Sequence, residues 1–242
     1  MKKWFRIALI PTLLALSSIG QANEWYTVEV IIFANNDSSV IADEYWPEID
    51  EIPAKSAIRL KPVNEGEIDS FQKLPKNLLS LHDEKNRIRS SGKYRVLYHQ
   101  GWMQPVAETQ RPKPIRITAG DIMDNGMYEL DGYIAVGRGR YLHFRPDLYF
   151  SRRLTADETS LLKKKAATKT ETAMSEPVQA EAMPTTQTAS GAVSTLPQNT
   201  MDLFIPEILT VNQTQARRMR SKELHYIDHP LFGIMVEIKP VN

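Results

Sequence analysis

From residue 24 to 154 the chain runs in short stretches of β-branched and aromatic residues, separated by polar and proline-containing breaks, which is the pattern of strands. Trp25 to Phe33, Trp-Tyr-Thr-Val-Glu-Val-Ile-Ile-Phe, is the clearest of them. Tyr94 to Trp102 predicts a second strand and Ile115 to Thr118 a short third. Leu130 to Phe150 reads as one long extended segment with Gly137 and Gly139 inside it, turned back at Pro146-Asp147. Near the C-terminus, Leu203 to Leu209 is interrupted by Pro206 and reads as a sheet edge. Arg218 to Ile227 and Phe232 to Ile238 form a hairpin joined through Asp228-His229-Pro230. One segment has helical spacing instead: Lys76 to Ser91 places Leu78, Leu79, Leu81 and Ile88 among charged residues, and Gly92 follows as a stop. The order predicts an α+β fold with a mainly antiparallel sheet and at least one packed helix.

Two segments do not read as part of that fold. Residues 156–200 are rich in Ala, Thr, Ser, Glu, Lys and Gln and contain no aromatic residue, so they cannot bury enough apolar area to offset their ordering entropy. They are expected to be a disordered insert, whose first part, Thr155 to Ala167, is a candidate short helix with Thr155 and Glu158 spaced as a capping box. The segment 201–242 is too short to fold alone and is expected to complete the same domain as residues 23–155. The other exception is the start. Lys2, Lys3 and Arg6 precede an apolar run from Ile7 to Ile19, followed by Gly20 and Ala22 at the small-residue positions of a cleavage site. Residues 1–22 therefore read as a secretory signal cleaved after Ala22, too short for a membrane anchor, and a periplasmic location is the expectation.

Composition narrows the function. There is no cysteine, which excludes disulfide staples, thiolate metal sites, a Cys nucleophile and a thiol-linked lipid anchor. Without Lys2, Lys3 and Arg6 the 30 basic side chains fall to 27, against 29 acidic ones, so there is no field to attract nucleic acid. No second apolar run is long enough to span a bilayer. The sequence has no Gly-x-Ser-x-Gly elbow, no His-Glu-x-x-His and no phosphate-binding glycine loop. His225 and His229 are four apart, but around a hairpin bend this spacing does not make a metal site, and no cofactor or metal is expected.

The richest polar string is Gly137 to Arg145. On an extended strand, alternation puts Arg138, Arg140, Leu142 and Phe144 on one face and Gly139, Tyr141, His143 and Arg145 on the other. An aromatic ring, an imidazole and a guanidinium beside a glycine suit a sugar or peptide carrying a carboxylate. A solvated cationic face remains the plainer alternative. His99 and Trp102, within His99-Gln100-Gly101-Trp102-Met103-Gln104-Pro105, and Tyr45-Trp46-Pro47 carry a similar ambiguity between a carbohydrate platform and a core position. The candidate binding residues are thus Arg138, Arg140, Tyr141, His143, Arg145, His99 and Trp102, with no catalytic residue among them.

Several strings, in order, resemble the CsiV family of periplasmic proteins: Trp25 to Phe33 with Trp46-Pro47, Tyr94 to Trp102, Leu130-Asp131-Gly132, Arg140-Tyr141-Leu142-His143, Arg218-Met219-Arg220 and Tyr226 to Gly233. The resemblance covers nearly the whole chain after the leader, apart from the insert. It implies a peptidoglycan-binding protein that acts with the outer-membrane lipoprotein activator of a class A penicillin-binding protein, in support of cell-wall synthesis and cell shape. It carries over no binding residues. Two other readings stay open from the residues: a wall-modifying hydrolase, and a periplasmic assembly factor that pairs through a sheet edge.

Overall fold

A computed structural model describes residues 24–106 apart from 43, 45, 50 and 65, then 112–174 and 205–241; of 42 and 166–174 it describes the backbone only. The expected signal at 1–22, Tyr45 and the insert beyond residue 174 lie outside the described residues.

Two sheets pack face to face. The first has β1 (Glu24–Asn35) at its centre, β4 (Tyr94–Val106) and the two-residue β3 (Gln72–Lys73) on one side, and β11 (Phe232–Pro240) and β10 (Leu224–Ile227) on the other. The second runs in the order β2 (Ile58–Arg59), β5 (Ile115–Ile122), β6 (Tyr128–Arg138), β7 (Leu142–Arg153), β8 (Ile208–Gln213), with β9 (Arg217–Met219) also on β7. Every pairing between these strands is antiparallel except β2 with β5. The α+β, mainly antiparallel expectation holds, and the C-terminal strands are hydrogen-bonded to β1 and β7.

Period-two alternation builds the core between the sheets. Val28, Val30 and Ile32 of β1 meet Ile115, Ile117, Ile134, Val136, Phe144, Leu148 and Phe150 of the second sheet in one buried cluster. Trp102 belongs to it, 0% exposed, with its indole N–H donated to Gln104 Oε1 at 2.8 Å. Gly132 must lack a side chain, because its φ is 137° and a Cβ there would stand 2.2 Å from the Asp147 carbonyl oxygen.

The expected single strand from Leu130 to Phe150 is corrected to two, β6 and β7, joined at Gly139-Arg140-Tyr141 rather than at Pro146. Pro146 sits inside β7, in the gap between the residues paired with β9 (Leu142 to Phe144) and those paired with β8 (Leu148 to Arg153). A missing N–H breaks no ladder on that side, so proline is tolerated. The expected strand Arg218 to Ile227 is likewise two. Lys222, at φ 66°, turns the chain between β9 in the second sheet and β10 in the first. The Asp228-His229-Pro230 hairpin between β10 and β11 is present. β8 starts after Pro206, at Ile208, and lies at a sheet edge.

The helix is shorter than its apolar spacing predicts. Lys76–Leu78 forms one 3-10 turn, Leu79 is extended, and α1 runs only over His82–Ser90. The cause is Glu29, which points out of β1 and accepts hydrogen bonds from Ser80 N at 2.7 Å and Leu81 N at 2.9 Å. A carboxylate from the sheet thus satisfies amides at the start of α1, where no side chain of the helix's own cap does. Ile88 and Leu81 then cover Ile31 and Phe33 on the outer face of the first sheet. A second helix, α2 (Ala156–Met174), begins with the expected capping box: Thr155 N donates to Glu158 Oε2 at 3.0 Å and Glu158 N to Thr155 Oγ1 at 3.3 Å. Glu158 also pairs with Arg152 of β7 at 2.5 Å, which fixes the helix start to the sheet.

Candidate binding surface

Among the described residues, no helix lies against the outer face of the second sheet in the way α1 covers the first. Alternation directs His143, Arg145, Asp147 and Tyr149 of β7 outward, across from Gly137, Ala135, Tyr133 and Asp131 of β6. At the end of this face nearest the hairpin tip the β6 residues are small, and His143 and Arg145 stand across from Gly137 and Ala135. At the other end Tyr133 is covered: its hydroxyl accepts the Lys55 amide at 3.0 Å, and Arg116 lies over its ring while paired with Asp131 at 2.6 Å.

The tip itself carries Tyr141, 40% exposed. It follows Gly139, whose N–H donates to the Tyr141 carbonyl at 3.0 Å to close the turn. β9 pairs across from it, with Leu142 opposite Met219 and His143 opposite Arg218. Met219 is buried, which anchors β9, and the alternation therefore sends Arg218 outward onto the tyrosine. The Arg218 guanidinium lies 4.6 Å and that of Arg140 5.6 Å from the Tyr141 ring centroid. Arg140, Arg217 and Arg218 are all exposed, and no carboxylate pairs with them among the described residues.

This arrangement changes the role given to the ring. Arginine occupies ring surface that a sugar would stack on, so Tyr141 works as a post that orients two cations rather than as a bare platform. Oriented guanidinium groups bind carboxylates, through two parallel N–H···O bonds where geometry allows.

The other sequence candidates go elsewhere. Arg138 does not share the Tyr141 surface: its guanidinium pairs with Glu24 at 2.5 Å, joining the end of β6 to the start of β1. That pairing, followed by a bond from the Tyr26 hydroxyl, lowers the Glu24 carboxyl below its usual range. His99 and Trp102 are corrected from a surface platform to interior positions. The His99 side chain is 4% exposed, with Nε2 2.8 Å from Glu29 Oε1, and Trp102 lies in the core on the opposite face of β4. Burial would raise the Glu29 carboxyl, but bonds from His99, Ser80 and Leu81 outweigh it and bring it to about 2. Trp46 is a partly buried residue whose indole N–H donates to the Ile41 carbonyl at 2.7 Å. Arg218 is the residue that sequence reasoning passed over as a ligand contact. Its only signal was outward alternation against Met219, which needs the register of β9 on β7 to be known.

His225 and His229 do not converge. His225 Nε2 accepts the Arg220 amide at 3.3 Å, whereas His229 packs between Trp46 and Phe232 with Nδ1 accepting the Leu231 amide at 3.2 Å. Burial lowers the His229 imidazole to about 4, against a smaller opposite pull from Asp228. No three His, Asp or Glu side chains among the described residues are grouped to hold a metal ion. No helix among the described residues is long and apolar enough to cross a membrane.

A rigid β-sandwich that displays preset cations at one hairpin tip has the build of a binding module. The family model described as the peptidoglycan-binding protein CsiV matches residues 6–241, and the chain belongs to that family. No curated protein and no solved structure matches it. Two strings that carried the resemblance, Arg140 to His143 and Arg218 to Arg220, are neighbours in space, joined where β7 pairs β9.

Proposed function

We propose that this chain is a non-catalytic periplasmic adaptor that holds peptidoglycan on the outer face of its second sheet, with Arg140, Tyr141, Arg218, His143 and Arg145 as the contact residues. Membership of a peptidoglycan-binding family supports the ligand. The observation that carries the placement is the exposed Tyr141 ring with two arginines against it and no carboxylate neutralising them among the described residues. Peptidoglycan is a polymer of sugars and short peptides rich in carboxylates, which such cations attract. The leader-like start supports export to the periplasm. The likeness to the CsiV family further implies a partner, the outer-membrane lipoprotein activator of a class A penicillin-binding protein, through which wall binding would support synthesis and cell shape. Purified wall sacculi test the reading. The protein should sediment with them at physiological salt, and the R140Q/R218Q variant should stay in the supernatant with an unchanged melting temperature. Equal sedimentation of both proteins removes the placement; release of soluble wall fragments removes the adaptor reading in favour of a hydrolase.

A further inference from the structure

A second cationic site lies at the opposite margin of the sandwich, away from the hairpin tip. There the two sheets end in two-residue strands, β2 in the second sheet and β3 in the first, linked by a single bridge between Lys61 and Gln72. Strands this short cannot close the sandwich, and a cleft of about 280 Å³ opens between them. Arg59 comes from β2, Lys73 from β3 and Arg116 from β5, with Leu60, Ile117 and Tyr98 also on the wall. Arg116 is committed to Asp131 at 2.6 Å. Arg59 and Lys73 have no ion pair or side-chain hydrogen bond among the described residues, so the cleft keeps two uncompensated positive charges. The Tyr98 hydroxyl also has no hydrogen-bond partner among the described residues, and burial alone raises its ionisation above the usual phenol range, so it stays a neutral donor. The chain entering β3 is held firmly. Phe71 takes φ 57°, unusual for a non-glycine, and its amide donates to the Met103 carbonyl at 2.6 Å.

We propose that this cleft binds the carboxylate end of a short peptide with small apolar side chains: Arg59 and Lys73 would take the carboxylate, Tyr98 would donate to it, and Leu60 would pack the side chains. Concavity, a mixed apolar wall and unneutralised cations are the features of a small-ligand site, and a cleft of about 280 Å³ has room for the end of a short peptide. A stem peptide of the wall and the C-terminus of a protein share this chemistry, and the stereochemistry of the probe separates them.

Titration of the purified protein with acetyl-D-alanyl-D-alanine, its L,L isomer and the C-terminal amide of each is the test. Either acid should bind and its amide should be weaker by about tenfold or more, because the charge-assisted bonds are lost. Tighter binding of the D,D acid points to wall peptide, and tighter binding of the L,L acid points to a protein terminus. The variants R59Q and K73Q should each lose most of the affinity without a change in melting temperature, since neither side chain is paired in the fold. Binding of neither acid, equal binding of acid and amide, or equal competition by inorganic phosphate overturns the proposal. Sacculus sedimentation by the Arg140 and Arg218 surface is a separate measurement, so failure here leaves the proposed function standing.

Discussion

The outer faces of the two sheets both carry polar and charged residues and use them in opposite ways. On the first sheet, Glu29 and His99 are covered by the segment leading into α1, and nearly all of their hydrogen-bonding capacity turns inward: Glu29 alone accepts from Ser80, Leu81 and His99. On the second sheet, Tyr141, Arg140 and Arg218 have no element across them among the described residues and are exposed. A charge under cover must be satisfied by the protein, because its desolvation costs several kcal/mol otherwise. A charge in the open has water as its default partner and exchanges that water for a ligand at little cost. Residue type therefore does not decide between architecture and recognition here; what lies across the strand does.

That contrast is broken or sharpened by substitution. The largest effects belong to the covered side. Glu29→Ala strands the Ser80 and Leu81 amides and the His99 imidazole, and should cost about 3–5 kcal/mol in chemical denaturation. A loss below about 1 kcal/mol would show that water replaces the carboxylate readily, and the two faces would then differ less than argued. Trp102→Ala, which leaves a cavity in the core, should cost a similar 3–5 kcal/mol, or about that. The same variant retaining full stability but losing wall sedimentation would return Trp102 to the surface.

Acid comes next. His229 is held neutral in the fold, at about 4 against an ordinary 6.5, so the stability it contributes is complete above pH 6.5 and lost as pH falls towards 4. Glu29 is held ionised, at about 2 against an ordinary 4.5, so its contribution is complete above pH 4.5 and lost as pH falls towards 2. Each window is worth about 3 kcal/mol, and denaturation midpoints should show the two in succession. His229→Phe should abolish the upper window only. Persistence of that window in the variant would assign it to another group.

The smallest effects on stability belong to the open side. Tyr141→Ala and Arg218→Gln should each shift stability by no more than about 0.5 kcal/mol, while wall sedimentation drops. Tyr141→Phe should retain it, since the ring and not the hydroxyl orients the arginines. A melting temperature that falls with sedimentation would mean that the ring supports β9 instead of recognising a ligand.

Much of the sandwich was legible in the chain. β-branched and aromatic alternation in Trp25 to Phe33, Tyr94 to Trp102 and Phe232 to Ile238 marks strands because a pleated backbone sends successive side chains to opposite faces. Thr155 and Glu158 announced the start of α2, since a capping box is local chemistry three residues long. Where reading failed, the deciding partner was remote. Pro146 looked like a turn but sits in β7, because the strand beside it happens to be interrupted there. Lys76 to Ser91 looked like one helix but is broken by a carboxylate from β1, some fifty positions earlier in the chain.

The sequence by itself determined the fold class, the absence of thiol chemistry and the local signals of strands, caps and turns, because all of these depend on side-chain type and near neighbours. Only the tertiary structure decided that Arg218 stands against Tyr141, that Arg138 serves Glu24, and that His99 and Trp102 are both buried, on opposite faces of β4. Those outcomes depend on strand register and on which face each sheet covers, and both are set by pairing between segments far apart in the chain.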